Sequence, residues 1–99
     1  MPRAIVLNES DNLATLIDPG RTGEVCRLQG EAGGEVRLLQ DIPFGHKLCI
    51  VDTPKDANIL KYGQVIGRAS QAVKMGEHMH VHNIESARAR GDLSKETSK

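Results

Sequence analysis

A mainly β protein folded as one small domain is what this sequence predicts, and three observations carry that expectation. Runs rich in Ile, Val and Leu recur, each cut off within about ten residues by Gly, Pro, Asn or Asp, which is the pattern of short strands and turns. Helical spacing of apolar residues is scarce. The chain has 99 residues, enough for one core, and with one Phe, one Tyr and no Trp that core must be built from Ile, Val, Leu and Met.

The strands are expected in order. Residues 3–7 ("RAIVL") precede the turn signal "NESDN", and residues 13–17 ("LATLI") precede "DPGRTG". Residues 24–28 ("EVCRL") and 35–40 ("EVRLLQ") flank "QGEAGG", where glycine supplies the positive φ of a tight turn. Residues 47–52 ("KLCIVD") follow "DIPFG", and residues 64–70 ("QVIGRAS") follow "DTPKDAN" and "KYG". Residues 77–83 ("EHMHVHN") alternate apolar and polar side chains, the period of a half-buried strand. Short helical turns are expected in a few connections.

A weak internal repeat supports the same fold. "QDIPFGHKLCIV" and "QAVKMGEHMHVH" align without a gap, pairing Ile42 with Val73, Phe44 with Met75, Gly45 with Gly76 and Ile50 with Val81. "DTPKDANILKYG" reads as a third copy with Asp56 at the glycine position, since Asp tolerates the left-handed region better than most residues. Turn-to-strand units in series suit a small curled β-barrel or clip. The domain is expected over residues 1–84, with residues 85–99 a polar flexible tail that has too few apolar groups to offset the entropy of ordering it.

Charge excludes several partners. Thirteen basic residues balance thirteen acidic ones, so no field gathers nucleic acid or an anionic membrane, and no apolar run approaches a membrane span. Cys26 and Cys49 sit in apolar runs 23 residues apart, the pattern of small buried hydrophobes in a reducing compartment. With no secretory leader evident, the expected location is cytoplasmic.

His78, His80 and His82 form a comb at two-residue spacing. In a strand they share one face, with Met79 and Val81 on the other. Teeth two apart lie ~6.7 Å from each other and teeth four apart ~13 Å, while two imidazole nitrogens on one ion sit ~3 to 3.5 Å apart. One adjacent pair can therefore share a metal, completed from elsewhere by His46, a carboxylate or a substrate oxygen, and such a set suits Fe(II), Mn(II) or Zn(II). A surface strand whose histidines only hydrogen-bond or titrate accounts for the same spacing. Lys61 and Tyr62 before Gly63 can hold a carboxylate or act as acid and base. Asp41, His46 and Lys47 surround the Pro-Phe-Gly turn. No Ser-His-Asp grouping can be argued, and "GEAGGE" lacks the Lys and the following helix of a phosphate loop.

"DIPFGHKLCIVD", "ILKYGQVIGRAS", "MGEHMHVHN" and "ESARARGDL" resemble the SAF-type domain of the altronate and galactarate dehydratase family over about residues 4–93, and "SDNLATLI" fits that family's early segment. Asp56 and Cys49 depart from the family pattern, which usually has Gly and a small apolar residue there. The resemblance implies a β-clip fold and a divalent metal, Fe(II) or Mn(II) ahead of Zn(II). It also implies the small subunit or amino-terminal-type domain of a hydro-lyase that dehydrates a sugar acid, completing its active site with a large catalytic subunit. A sulfolactate sulfo-lyase alpha subunit and a non-catalytic docking module are the alternatives; self-association is compatible with all three. Carried onto this chain, the resemblance assigns His46, Lys61 and Tyr62 to catalysis, Gly63 and Asn83 to the substrate, and His80 and His82 to the metal. Lys47 beside His46, and His78 as the first tooth of the comb, join the substrate group.

Overall fold

The computed structural model describes residues 1–80 and 82–86 of the chain. Among these, every regular element is a strand: β1 (Arg3–Val6), β2 (Leu13–Leu16), β3 (Val25–Gly30), β4 (Gly34–Arg37), β5 (Lys47–Cys49), β6 (Asn58–Lys61), β7 (Gln64–Ala69), β8 (His78–Met79) and β9 (Ile84–Ser86). The fold is mainly β and SAF-like, as the sequence predicts. Where short helical turns were expected, the connections are hydrogen-bonded turns.

Six strands form one sheet in the order β4-β3-β1-β2-β5-β8, and β6-β7-β9 form a second. All pairings are antiparallel except β1 with β3. Two apolar clusters result. Ala4, Val6, Ala14, Leu16, Cys26, Leu28, Val36, Leu38, Ile42 and Leu48 pack in the first; Leu13, Cys49, Ile59, Ala69, Val73 and Met79 pack in the second. Strands β2 and β5 belong to both, because successive side chains point to opposite faces. Ala14, Leu16 and Leu48 enter the first cluster while Leu13 and Cys49 enter the second. That explains why "LATLI" reads as nearly continuous apolar sequence. Both cysteines are buried and free.

The repeat is real, and it occurs four times. The turns at residues 20–25, 42–47, 53–58 and 73–78 each place their fourth residue in the left-handed region: Gly23 at φ 90°, Gly45 at 81°, Asp56 at 72° and Gly76 at 99°. They pair two by two. Gly20 and Ile42 exchange backbone hydrogen bonds of 2.9 and 2.8 Å, and Thr53 and Val73 exchange two of 2.8 Å. Each pair carries the same carboxylate clip: Asp41 accepts the N–H of Thr22, and Asp52 accepts that of Met75, both at 2.8 Å.

Three expectations change. Asn58–Lys61 and Ile84–Ser86 are strands where the sequence showed turn signals and the start of a tail. Pairing with β7 thus reaches two residues beyond position 84, and residues 87–99 lie outside the described residues. The strand expected over residues 77–83 is extended only at His78–Met79. Past Met79 the chain turns, with the N–H groups of Asn83 and Ile84 both donating to the carbonyl of His80 at 3.0 Å. Val81 lies outside the described residues.

Candidate metal and substrate site

The turn after β8 decides the geometry of the histidines. Asn83 is 4% exposed, and its side chain closes the turn from both ends. Its Oδ1 accepts the N–H of His80 at 2.9 Å and its Nδ2 donates to the carbonyl of His78 at 2.8 Å. The amide assigned to substrate is thus held by the backbone, where it positions two imidazoles. This capture ends the strand, so the comb spacing of an extended chain does not apply. His78 and His82, which a strand would hold ~13 Å apart, have ring centroids 5.4 Å apart.

His46 arrives from the repeat turn over residues 42–47, one residue after Gly45, where the turn over 73–78 has Glu77. Its Nδ1 lies 2.9 Å from His78 Nε2, and its ring stacks on His80 at a centroid distance of 4.6 Å. The His78 and His80 rings are 5.5 Å apart and nearly parallel. One ring nitrogen from each of His46, His78 and His80 falls within 4.8 Å of the other two. Desolvation by burial, then the neighbouring imidazoles of His46, His82 and His80, lowers the pKa of His78 and so favours its neutral, ligating form. The N–H of His78 is fixed by Gln40 Oε1 at 2.8 Å.

This donor set fits a divalent cation. Shared coordination needs nitrogens ~3 to 3.5 Å apart, the His46–His78 pair lies at 2.9 Å, and all three nitrogens lie within 4.8 Å of one another. The grouping differs from the sequence assignment in its members: His46, His78 and His80 converge, while exposed His82 stands beside His78. No Asp or Glu among the described residues joins them.

The remaining assigned residues form a second group. Cross-strand partners share a face, so the pairs Leu48–His78 and Lys47–Met79 put His78 on the first-cluster side of β5 and Lys47 on the second-cluster side. Consecutive residues His46 and Lys47 therefore serve different places. Near Lys47 stands the β6–β7 hairpin tip, where Tyr62 (φ 58°) and Gly63 (φ 72°) both adopt positive φ, as a type I′ turn requires. Burial, then the charge of Lys61, lowers the Lys47 pKa, with Tyr62 opposing. Lys61 Nζ lies 5.3 Å from the Tyr62 ring centroid.

Sequence inspection missed what builds that tip. Asp11, 3% exposed, accepts the N–H groups of Tyr62 at 3.0 Å and Gly63 at 2.9 Å. Asn12 Oδ1 accepts the N–H of Leu60 at 2.6 Å. The signal was the "DN" that precedes β2, a pair of short acceptors suited to capping a turn.

Comparisons with known proteins agree with this architecture. The family model of the altronate/galactarate dehydratase SAF domain matches residues 2–87. The (2R)-sulfolactate sulfo-lyase subunit alpha of Chromohalobacter salexigens is 49% identical over 47 residues, 48% of this chain and 50% of that subunit. The altronate dehydratase of Bacillus subtilis is 33% identical over 86 residues, 87% of this chain but 17% of the enzyme. That of Escherichia coli is 34% identical over 82 residues, 83% and 16% of the two chains. This chain thus spans half or less of these relatives. Among the described residues no helix is long and apolar enough to cross a membrane. The match over nearly all of the described fold shows that the chain belongs to the altronate/galactarate dehydratase SAF domain family.

Proposed function

We propose that this chain is the SAF-type part of a metal-dependent lyase that removes water from a small hydroxy acid of the sugar-acid class, and that a larger catalytic chain completes its active site. The convergence of His46, His78 and His80, with no carboxylate among the described residues to close the set, is the observation that supports this most directly. The small share of each altronate dehydratase that the chain covers supports the need for a larger part.

His46, His78 and His80 would hold the ion, Fe(II) or Mn(II) ahead of Zn(II), and once bound it supplies Lewis-acid stabilisation of negative charge on the substrate carboxylate. Gln40 and Asn83 hold the backbone of His78 and His80 so that the rings keep their aim. His82, exposed beside His78, can deliver a proton to the departing oxygen. Removal of the carbon-bound proton falls to the larger chain.

The 49% identity to a sulfolactate sulfo-lyase subunit favours a second reading in which sulfite leaves instead of water. The experiment is co-expression with the large lyase chain, metal loading, and assay against altronate, galactarate and (2R)-sulfolactate. Turnover of one substrate by the complex, none by the chain alone, and loss of turnover in a folded His78→Ala complex are expected. Full activity of the His78→Ala complex, or no turnover of any of the three, overturns the proposal.

A further inference from the structure

The geometry points to a docking surface: Leu39, Phe44 and Met75 form an apolar rim beside the converging histidines, and the larger catalytic chain seats on it. This deepens the lyase reading and rests on it for the identity of the partner.

The four repeat turns supply an internal comparison. Each exposes its third residue, Thr22, Phe44, Lys55 or Met75, one position before the residue at positive φ. The two turns that carry a histidine have Phe and Met there, whereas the two without one have Thr and Lys. The backbone therefore does not call for an apolar side chain at that position. Phe44, the one phenylalanine of the chain, is 66% exposed, and Met75 is 48% exposed. Large apolar groups gathered at the surface beside a polar site mark a contact with another molecule.

The rim is continuous with the site. Leu39, also 48% exposed, donates its N–H to the carbonyl of Gly76 at 2.8 Å, and its Cγ stands 3.0 Å from where a Cβ on Gly76 would lie, so it packs beside Met75. The next residue, Gln40, holds the N–H of His78. From the other turn, Phe44 lies two residues before His46, whose Nδ1 is 2.9 Å from His78 Nε2.

The occupant follows from what the site lacks. The carboxylates on these turns are engaged by backbone N–H groups: Asp41 by Thr22 and Asp52 by Met75 at 2.8 Å, and Glu77 by Lys74 at 2.7 Å. A chain that supplies oxygen donors to an ion on the imidazoles must bring them within ~2 Å of it, and must therefore cover the residues around it. An apolar centre with charges held off it is the composition of an interface core. A second copy laid face to face brings the same histidines and no further carboxylate. Residues 87–99 offer one large apolar residue, Leu93, to cover three. The matched part is 17% and 16% of the two altronate dehydratases, so most of each enzyme lies outside it.

The test is calorimetric binding of the full chain to the purified large lyase chain in the presence of Mn(II), for the parent and for the double variant Phe44→Lys/Met75→Thr. Each replacement is the residue that a histidine-free turn already carries: Phe44 and Lys55 both follow proline, and Met75 and Thr22 share the aspartate clip, so the turns keep their frame. Affinity for the large chain is expected to fall at least about thirty-fold, with Lys55→Ala binding as the parent does and the double variant alone keeping the parent's Mn(II) affinity and urea midpoint. Unchanged affinity for the large chain, an equal loss in Lys55→Ala, lost Mn(II) binding in the double variant, or no association of the parent overturns the assignment. So does sedimentation showing the parent alone as a dimer that the double variant breaks, which makes a second copy the occupant. Turnover is read separately: a complex that depends on the rim yet converts none of altronate, galactarate and (2R)-sulfolactate removes the lyase reading and leaves the docking surface, while an active double variant of parent affinity does the reverse.

Discussion

Asp11 and Tyr62 are 51 positions apart in the chain, yet a carboxylate oxygen of Asp11 lies 3.0 Å from the backbone nitrogen of Tyr62. The other oxygen holds Gly63. One buried side chain thereby joins the start of β2 to the far hairpin and fixes the conformation of its tip.

Replacing Asp11 with Ala leaves the N–H groups of Tyr62 and Gly63 without their acceptor and is expected to cost about 2–6 kcal/mol, each orphaned donor costing about 1–3. Tyr62→Gly has the opposite sign. It removes the penalty of a side chain in the left-handed region and raises stability by about 1 kcal/mol. Urea denaturation of both variants checks the pair; a destabilised Tyr62→Gly contradicts the strain assigned to this turn.

Asp56 stands at φ 72° in the one repeat turn of four that lacks glycine at this position. Its ion pair with Arg68, at 3.9 Å and largely exposed, contributes little. Asp56→Gly is expected to stabilise the chain by about 0.5–1 kcal/mol, read as a rise in the urea midpoint with an unchanged slope.

Metal binding sorts the four histidines. Calorimetric titration with Mn(II) is expected to show one site, weakened at least about ten-fold by His46→Ala, His78→Ala or His80→Ala and much less by His82→Ala, because the first three converge and His82 stands aside. Equal losses from all four substitutions rule out this ligand set.

Cys26 supplies a pH dependence. Burial pushes its thiol from an ordinary value near 9.0 up to about 11. The folded chain therefore keeps the proton that the unfolded chain releases above pH 9. Below pH 9 the group has no effect on stability; as pH rises from 9 toward 11 its contribution turns unfavourable. Urea midpoints taken at pH 8, 9 and 10 are expected to fall more steeply for the parent chain than for Cys26→Ala, and iodoacetamide at pH 8 is expected to modify the native thiol far more slowly than the denatured one.

Much of the fold was legible because glycines and prolines mark its turns. Gly45 and Gly76 revealed the repeat, and Asp56 was readable as their substitute. The copy around Gly23 escaped notice because "GRTGEV" has Gly20 where two others have Ile42 and Val73; its likeness lies in backbone bridging, which needs no apolar side chain. Strands β6 and β9 were hidden by length, being only four and three residues long.

The histidine site was half legible. Its residue types were visible, but their arrangement followed from Asn83, a residue adjacent to the comb. Alternation in "HMHVHN" suggested a strand, whereas a single amide binding the backbone of His78 and His80 makes a turn there. Sequence period records which side chains would share a face if the chain ran straight; it carries no record of a local hydrogen bond that bends it. The separation of Lys47 from His46 likewise came from cross-strand register, which no single segment contains.

Gly20–Val25 and Thr53–Asn58 repeat the backbone of the two histidine-bearing turns without carrying a histidine. The molecule thus contains its own blank. Substitutions at Glu24 or Ala57 report what the scaffold alone tolerates, and imidazoles installed there would show whether chemistry can be transplanted onto a duplicate frame that evolution left unfurnished.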